Sequence, residues 1–311
     1  MIAWGTPRCG RRWRRNNAVS LLSSGGRMII STKHDDAAVH AIAARWGLAV
    51  KEQIAETRRA RLFKVETADG FAVMKFYKEY GSSGEGAAIP FLMDLKPGTG
   101  PRILRKTLGR TVVLMEWLDG PTLGDLLAAG QEAEALRWIG QVARRIQQSQ
   151  IRLPRLYQRM APGRPRDLKV PGRSSQQIQS ASRDAIRLLT ALTRSMPRQQ
   201  VIHGDLGFGN VILTKEGPRL IDPKGLRADP VREYAKVLNM PFDGLPVATF
   251  EETVQRRANQ LGAEAQIAPG RILGWAAIEL AGRFAKRAKT PDISEPMLPY
   301  LNCLLGMSDA G

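Results

Sequence analysis

The sequence predicts an α+β chain of two lobes, a small β-rich N-terminal lobe followed by a larger, mainly helical C-terminal lobe. Three observations predict it. Short apolar runs separated by turn signals fill residues 48–77. Apolar positions of helical period dominate beyond Thr122. A short β-like insert, V-I-H-G-D-L-G-F-G-N-V-I-L at 201–213, interrupts that helical part. The division expected is a basic tail over 1–27, an N-terminal lobe over 28–118 and a C-terminal lobe over 119–311.

Composition bounds the possibilities. A chain of 311 residues, 43% hydrophobic and 24% charged, can bury a large core. No apolar stretch approaches the ~20 residues of a membrane span, so no membrane is expected. Cys9 and Cys303 make neither a metal spacing nor a disulfide framework, and a reducing cytoplasm is the expected compartment. The net charge of +18 raises the question of a polyanionic partner. Six arginines of the excess sit in residues 1–27, and residues 231–311 balance nine basic against nine acidic side chains. No basic helix with interleaved aromatics stands out, so nucleic acid is not expected as a partner.

Along the chain, residues 1–27 lack hydrophobic periodicity and are expected to be dispensable, with Met28 preceding an ordinary domain start. Asp35–Trp46 reads as a helix with Val39, Ile42, Ala43 and Trp46 on one side. His34 and His40 near it have no third ligand and read as surface residues. Leu62, Phe63 and Val65, then Asp69–Gly70, then Phe71, Val73 and Phe76 form a hairpin pattern. Glu85 opens an apolar helical series through Leu95, with Pro90 in or near its first turn. Thr111–Gly120 is a strand running into a turn, and Thr122 caps a short helix. Gln131–Ser149 is an amphipathic helix. Ile151–Ser180, with four prolines, seven basic residues and Asp167 as its one acid, reads as a long surface loop; an electropositive lid or anion-binding surface is the alternative. Helices follow at Ala181–Ser195, after the N-cap pair Asp229–Pro230, at Phe250–Leu261, at Arg271–Lys286 and at Asp292–Leu305.

The chemistry concentrates at H-G-D-L-G-F-G-N, His203 to Asn210, and I-D-P-K-G, Ile221 to Gly225. Asp and Asn are ordinary turn residues taken singly. Together, an H-x-D-x4-N turn and a second Asp at the end of an apolar run suit phosphoryl transfer: one carboxylate accepts a hydroxyl proton, while an amide oxygen and a second carboxylate hold Mg²⁺ against phosphates.

This wording resembles the aminoglycoside phosphotransferase family of the protein-kinase-like fold, and within it the streptomycin branch, over roughly Leu48–Leu305. The resemblance implies ATP and Mg²⁺ as cofactors, a small-molecule hydroxyl as acceptor and an antibiotic-resistance activity. It implies Asp205 as the residue that takes or orients the acceptor proton, and Asn210 and Asp222 as metal ligands. It places Lys75, in A-V-M-K-F, on the nucleotide phosphates, with Glu85 to orient it, and His203 as a brace for the loop. It places Met115, Glu116, Trp117 and Leu118 at the linker whose backbone reads adenine. With no glycine-rich loop before the Lys75 strand, Ala55–Arg61 would lie over the phosphates. The commoner family form is H-G-D-L-H-P-G-N, so Gly207 and Phe208 depart from it. Aminoglycosides are polycations and call for carboxylates; Glu233, Asp243 and Glu279 are the candidates. A neutral or anionic metabolite, a sugar, choline-like or amino-acid alcohol, is the alternative acceptor, and a non-catalytic binding protein of the same fold is the alternative class.

Overall fold

The computed structural model describes residues 36–57, 59–77, 87–107, 111–153, 159–160, 164–238, 245–288 and 295–308. These divide into two compact units. One holds the described residues up to 77 with Leu104–Trp117; the other holds those of 87–103 and those from Leu118 onward. The expected tail of 1–27, Glu85 and Asp243 lie outside the described residues.

The first unit is built on an antiparallel meander. Helix α1 (Asp36–Trp46) precedes strands β1 (Ala49–Glu56), β2 (Ala60–Thr67), β3 (Gly70–Tyr77), β4 (Ile103–Lys106) and β5 (Val112–Glu116). They assemble in the order β1-β2-β3-β5-β4. The Asp69–Gly70 signal is realised: Thr67 pairs with Gly70, whose φ of +121° only glycine adopts without strain. One face of the sheet packs on α1, with Val39 and Ala43 against Phe63, Val65, Met74, Phe76, Val112 and Leu114. Phe63 and Phe76 meet edge to face with ring centroids 5.8 Å apart.

The expected phosphate-covering segment Ala55–Arg61 holds the connection between β1 and β2. β1 runs through Glu56, β2 begins at Ala60, and the Thr57 hydroxyl accepts from the Arg59 and Ala60 amides. Arg61 is held within the unit by Asp36 at 2.5 Å and by Gln53, and lies over the Phe63 ring.

In the second unit, helix α2 (Ala88–Asp94) starts at the expected proline-bearing turn. The sequence boundary put this segment in the N-terminal lobe, but its packing ties it to the helical unit. Ala88, Ile89, Pro90, Phe91 and Leu92 are all buried. The Arg219 guanidinium donates to the Gly100 carbonyl at 2.6 Å, and the Leu220 amide to the Thr99 carbonyl at 2.8 Å. Thr122 and Asp125 form a reciprocal capping box that starts α3 (Leu123–Ala128). Helix α4 (Glu132–Gln148), the short strand β6 (Arg159–Met160) and helix α5 (Gln176–Arg194) follow. α5 begins five residues before the expected Ala181, because Ser175 is its N-cap and the Ser-Ser-Gln-Gln run is its entry rather than loop.

Beyond the site region lie α6 (Ala235–Leu238), α7 (Val247–Ala265), α8 (Pro269–Arg287) and a last helix, Leu298–Met307. α8 is the core element. It buries Ile272, Leu273, Trp275, Ala276, Ala277, Ile278, Leu280, Ala281 and Phe284, and packs on α5, α6, α7 and the last helix. No helix among the described residues is long and apolar enough to cross a membrane.

Candidate active site

Strand β7 (Gln200–Ile202) delivers the chain to His203; the hairpin β8 (Val211–Thr214) and β9 (Gly217–Leu220) delivers it to Asp222; β10 (Leu226–Ala228) then returns antiparallel to β7, pairing Leu226 with Ile202. Two turns of opposite polarity are thereby brought side by side. His203 closes them into one network. Its ring is fully buried, with Nε2 donating to the Ile221 carbonyl at 2.9 Å and Nδ1 accepting the Asp205 amide at 3.2 Å. Its carbonyl accepts the Lys224 amide at 2.8 Å and the Gly225 amide at 3.2 Å. Its own amide donates to Glu233 Oε1 at 3.1 Å. Burial pushes the imidazole down to about 4, against the Ile221 bond and the Asp222 charge, so the ring is neutral near pH 7 and braces rather than shuttles protons.

Asn210 joins the same block. Its Nδ2 donates to the Asp205 carbonyl at 2.7 Å, its amide to the Gly207 carbonyl at 2.9 Å, and its carbonyl accepts the Ile221 amide at 2.9 Å. With Nδ2 committed, Oδ1 is the acceptor left for an electropositive partner. Asp222 is exposed and sits in the left-handed region at φ +57°. That conformation costs a non-glycine residue about 1–2 kcal/mol, and it is held on both sides by the bonds to His203. Oxygen donors from Asn210 and Asp222 fit a hard cation such as Mg²⁺, which keeps water and phosphate oxygens for the rest of its shell. Among the described residues there is no group of three His, Cys, Asp or Glu side chains that would hold a metal alone.

The Asp205 carboxylate is half-buried between two lysines. Lys224 Nζ lies 3.1 Å from Oδ2, and Lys236 Nζ, from α6, is ion-paired to Oδ1. Neither lysine was picked out from the sequence. Lys224 stands in I-D-P-K-G, and its two-residue offset from Asp222 was the available signal. Lys236 lies 31 residues from Asp205, in a short helix with no motif.

The structure corrects one expected substrate carboxylate, Glu233, and gives a second, Glu279, an arginine partner. Glu233 is 4% exposed and its oxygens accept the amides of His203 and Gly204. Burial pushes its carboxyl up to about 8, with those two amides pulling the other way. It is an internal brace of the loop, closed to a ligand. Glu279 is taken by Arg232, whose Nε and Nη2 lie 2.7 and 2.5 Å from Oε1. The sequence could not distinguish a pocket carboxylate from one committed to a neighbour.

In the sheet unit, Lys75 is buried on the central strand β3, opposite Leu62 and Val113, with Nζ 4.9 Å from the Tyr77 ring centroid. Met115, Glu116 and Trp117 are half-buried and Leu118 is buried; the two units part between Trp117 and Leu118.

The fold and this paired-turn arrangement define the class as protein-kinase-like. A sequence profile described as the aminoglycoside/hydroxyurea antibiotic resistance kinase matches residues 45–289. The chain belongs to that family. No curated protein sequence matches the chain significantly. Among solved structures, a choline kinase, LicA, from Streptococcus pneumoniae matches with a TM-score of 0.59 at 14% identity, covering 88% of this chain and 98% of that one. A thermostable mutant of aminoglycoside phosphotransferase APH(4)-Ia, in ternary complex with AMP-PNP and hygromycin B, matches with a TM-score of 0.58 at 13% identity, covering 86% and 97%. A putative fructosamine-3-kinase from Thermobifida fusca YX-ER1 matches with a TM-score of 0.51 at 20% identity, covering 87% and 98%. At these identities the likeness is one of fold.

Proposed function

We propose that the chain is a small-molecule kinase that transfers the γ-phosphoryl group of ATP to a hydroxyl, with Asp205 as the residue that takes the acceptor proton. The observation that carries this is the single hydrogen-bonded block in which His203 fixes Asp205, Asn210 and the Ile221–Gly225 turn relative to one another. The acceptor oxygen forms a bond to the γ-phosphorus, its proton passes to the Asp205 carboxylate, and the bond from that phosphorus to the bridging oxygen breaks to leave ADP. Asn210 Oδ1 and the Asp222 carboxylate hold Mg²⁺, which neutralises phosphate charge when bound. Lys75 contacts the nucleotide α- and β-phosphates, oriented by Glu85, and the backbone of Met115–Leu118 reads the adenine edge. Positioning and electrostatics supply most of the catalysis in this reaction class.

Aminoglycosides are the acceptors to which the family description and the hygromycin B complex of the relative point; streptomycin is the member of that class favoured by the resemblance of the 203–210 and 221–225 motifs. Choline-like and sugar-derived alcohols are those to which the other two relatives point. The test is Asp205→Asn assayed with radiolabelled ATP and Mg²⁺ against a panel of hydroxylated acceptors. Turnover is expected to fall by about 10²–10⁴-fold, with the thermal shift produced by Mg-ATP retained. Wild-type turnover in this variant would refute the assignment.

A further inference from the structure

The charge at Asp205 is the reverse of what a polycationic acceptor needs. Lys224 and Lys236 flank its carboxylate, one on each oxygen. Both are accessible, with side chains 46% and 42% exposed. From α8, Arg283 and Glu279 act on Lys236 with opposite signs, so the excess of positive charge at Asp205 comes from the two lysines themselves. Three carboxylates of this region among the described residues have partners of their own. Glu233 is spent on two backbone amides, Glu279 on Arg232, and Asp222 on the metal in the proposed function.

Lys236 is also given a path. A Cβ placed on Gly207 would lie 3.8 Å from Lys236 Cδ and Cε and 4.0 Å from its Cγ. The lysine stem therefore runs along the bare Gly207 backbone to reach Asp205. A side chain longer than alanine at 207 would compete for the space of those methylenes. Position 207 is one of the two at which the loop departs from H-G-D-L-H-P-G-N. Gly207 and the Lys236 route are thus one feature, made by a loop residue and a helix residue 29 positions apart in the sequence.

We infer that the acceptor is a small hydroxylated anion, such as a hydroxy acid, whose negative group is bound by Lys236 beside the hydroxyl that Asp205 deprotonates. This rests on the phosphotransferase reading above. In the absence of an acceptor, Lys236 is ion-paired to Oδ1, the carboxylate that must receive a proton. An anionic group on the acceptor offers the ammonium a second partner and releases that oxygen as the hydroxyl arrives. A polycation would instead meet two ammonium groups at the carboxylate that must take its proton, an arrangement that disfavours it. The phosphoryl group and proton follow the route given for Asp205.

The experiment uses the full chain with radiolabelled ATP, Mg²⁺ and three acceptor classes: anionic (glycerate, gluconate), neutral (glycerol, glucose) and polycationic (streptomycin, hygromycin B). The anionic class is expected to be phosphorylated with the highest kcat/KM. Lys236→Ala and Lys236→Glu are expected to lower that value tenfold or more, on the order of the loss seen when one partner of a close charge pair is removed. The loss should appear in the KM for the acceptor, leave the KM for ATP unchanged and be partly restored by Lys236→Arg. Preferential labelling of a neutral or polycationic acceptor overturns the inference and leaves the kinase reading standing. So does a Lys236→Ala effect confined to the KM for ATP, which would assign the ammonium to the nucleotide phosphates. Labelling of no acceptor, with the Mg-ATP thermal shift intact, also overturns the inference. Labelling of none with no such shift overturns the kinase reading itself.

Discussion

Replacing Glu233 by alanine strips the 203–210 loop of its internal acceptor. The His203 amide, 3.1 Å from Oε1, and the Gly204 amide, 3.5 Å from Oε2, lose their partner. A buried donor left unpaired costs about 1–3 kcal/mol. Counting the His203 amide in full and the longer Gly204 contact in part, and adding the lost packing of two methylene-sized groups at about 0.8 kcal/mol each, the expected destabilisation is about 3–5 kcal/mol. Glu233→Gln keeps one acceptor but turns an NH2 toward an amide, and should cost less. The carboxyl also sets a pH dependence. Its folded-state value of about 8 lies above the ordinary 4.5. The folded state therefore holds a proton that the unfolded state has released between these values, and stability falls as pH rises through that window. At about 1.4 kcal/mol per pH unit, the ceiling on this fall is about 5 kcal/mol. Urea unfolding of wild type, Glu233→Gln and Glu233→Ala at pH 5.5, 7 and 9 measures both effects. Wild type should lose ground against Glu233→Gln as pH rises. A difference that stays constant across pH, or an alanine variant as stable as wild type, would refute the account of Glu233 as a buried brace.

His203 contributes the opposite slope. Its folded-state value near 4 lies below the ordinary 6.5, so in that window the unfolded chain binds a proton the folded one refuses. Stability from this group is intact above 6.5 and is lost as pH falls toward 4, by at most about 3 kcal/mol; against His203→Gln, wild type should weaken on acidification in urea unfolding. Gly204 has φ +74°, and a Cβ there would lie 2.6 Å from Leu226 Cδ1. Gly204→Ala should therefore destabilise by more than the ~1 kcal/mol of the left-handed conformation alone, and Leu226→Ala in the same chain should recover the steric part, giving a non-additive double-mutant cycle in thermal unfolding.

Much of the fold was legible because the local rules that predicted it also survive in the tertiary structure. The Asp69–Gly70 hairpin, the Thr122 cap, the amphipathic stripe of α4 and the Asp229–Pro230 helix start are each decided within a few residues. The Asp229 side chain does accept the Val231 amide, at 2.9 Å. The errors lie where a segment's fate depends on distant partners. The 87–103 segment reads as part of the first lobe until Arg219 and Leu220 are seen to bind it. In the site, the motif announced His203, Asp205, Asn210 and Asp222. It could not announce Lys236, which reaches Asp205 through a pairing of loop and helix, nor that Glu233 points inward and Glu279 sideways. Spacing reports which residues can cooperate locally; it does not report which charges are already spent.

The way His203 is used explains why the loop tolerates its own strain. Five of its bonds, through both ring nitrogens, its amide and twice its carbonyl, run to Ile221, Asp205, Glu233, Lys224 and Gly225. The left-handed Asp222 lies between two of those attachment points, Ile221 and Lys224. Its backbone is therefore set by His203, through the ring at Ile221 and through the carbonyl at Lys224 and Gly225. The same ring fixes the Asp205 amide, and Asn210 fixes the Asp205 carbonyl. The side chains assigned to chemistry thus stand on a backbone whose cost, about 1–2 kcal/mol at Asp222, is met inside the loop. The Asp205 carboxylate is flanked by Lys224 and Lys236. Variation at Gly207 or Lys236 can then change what the site accepts without loosening the frame that positions the reaction.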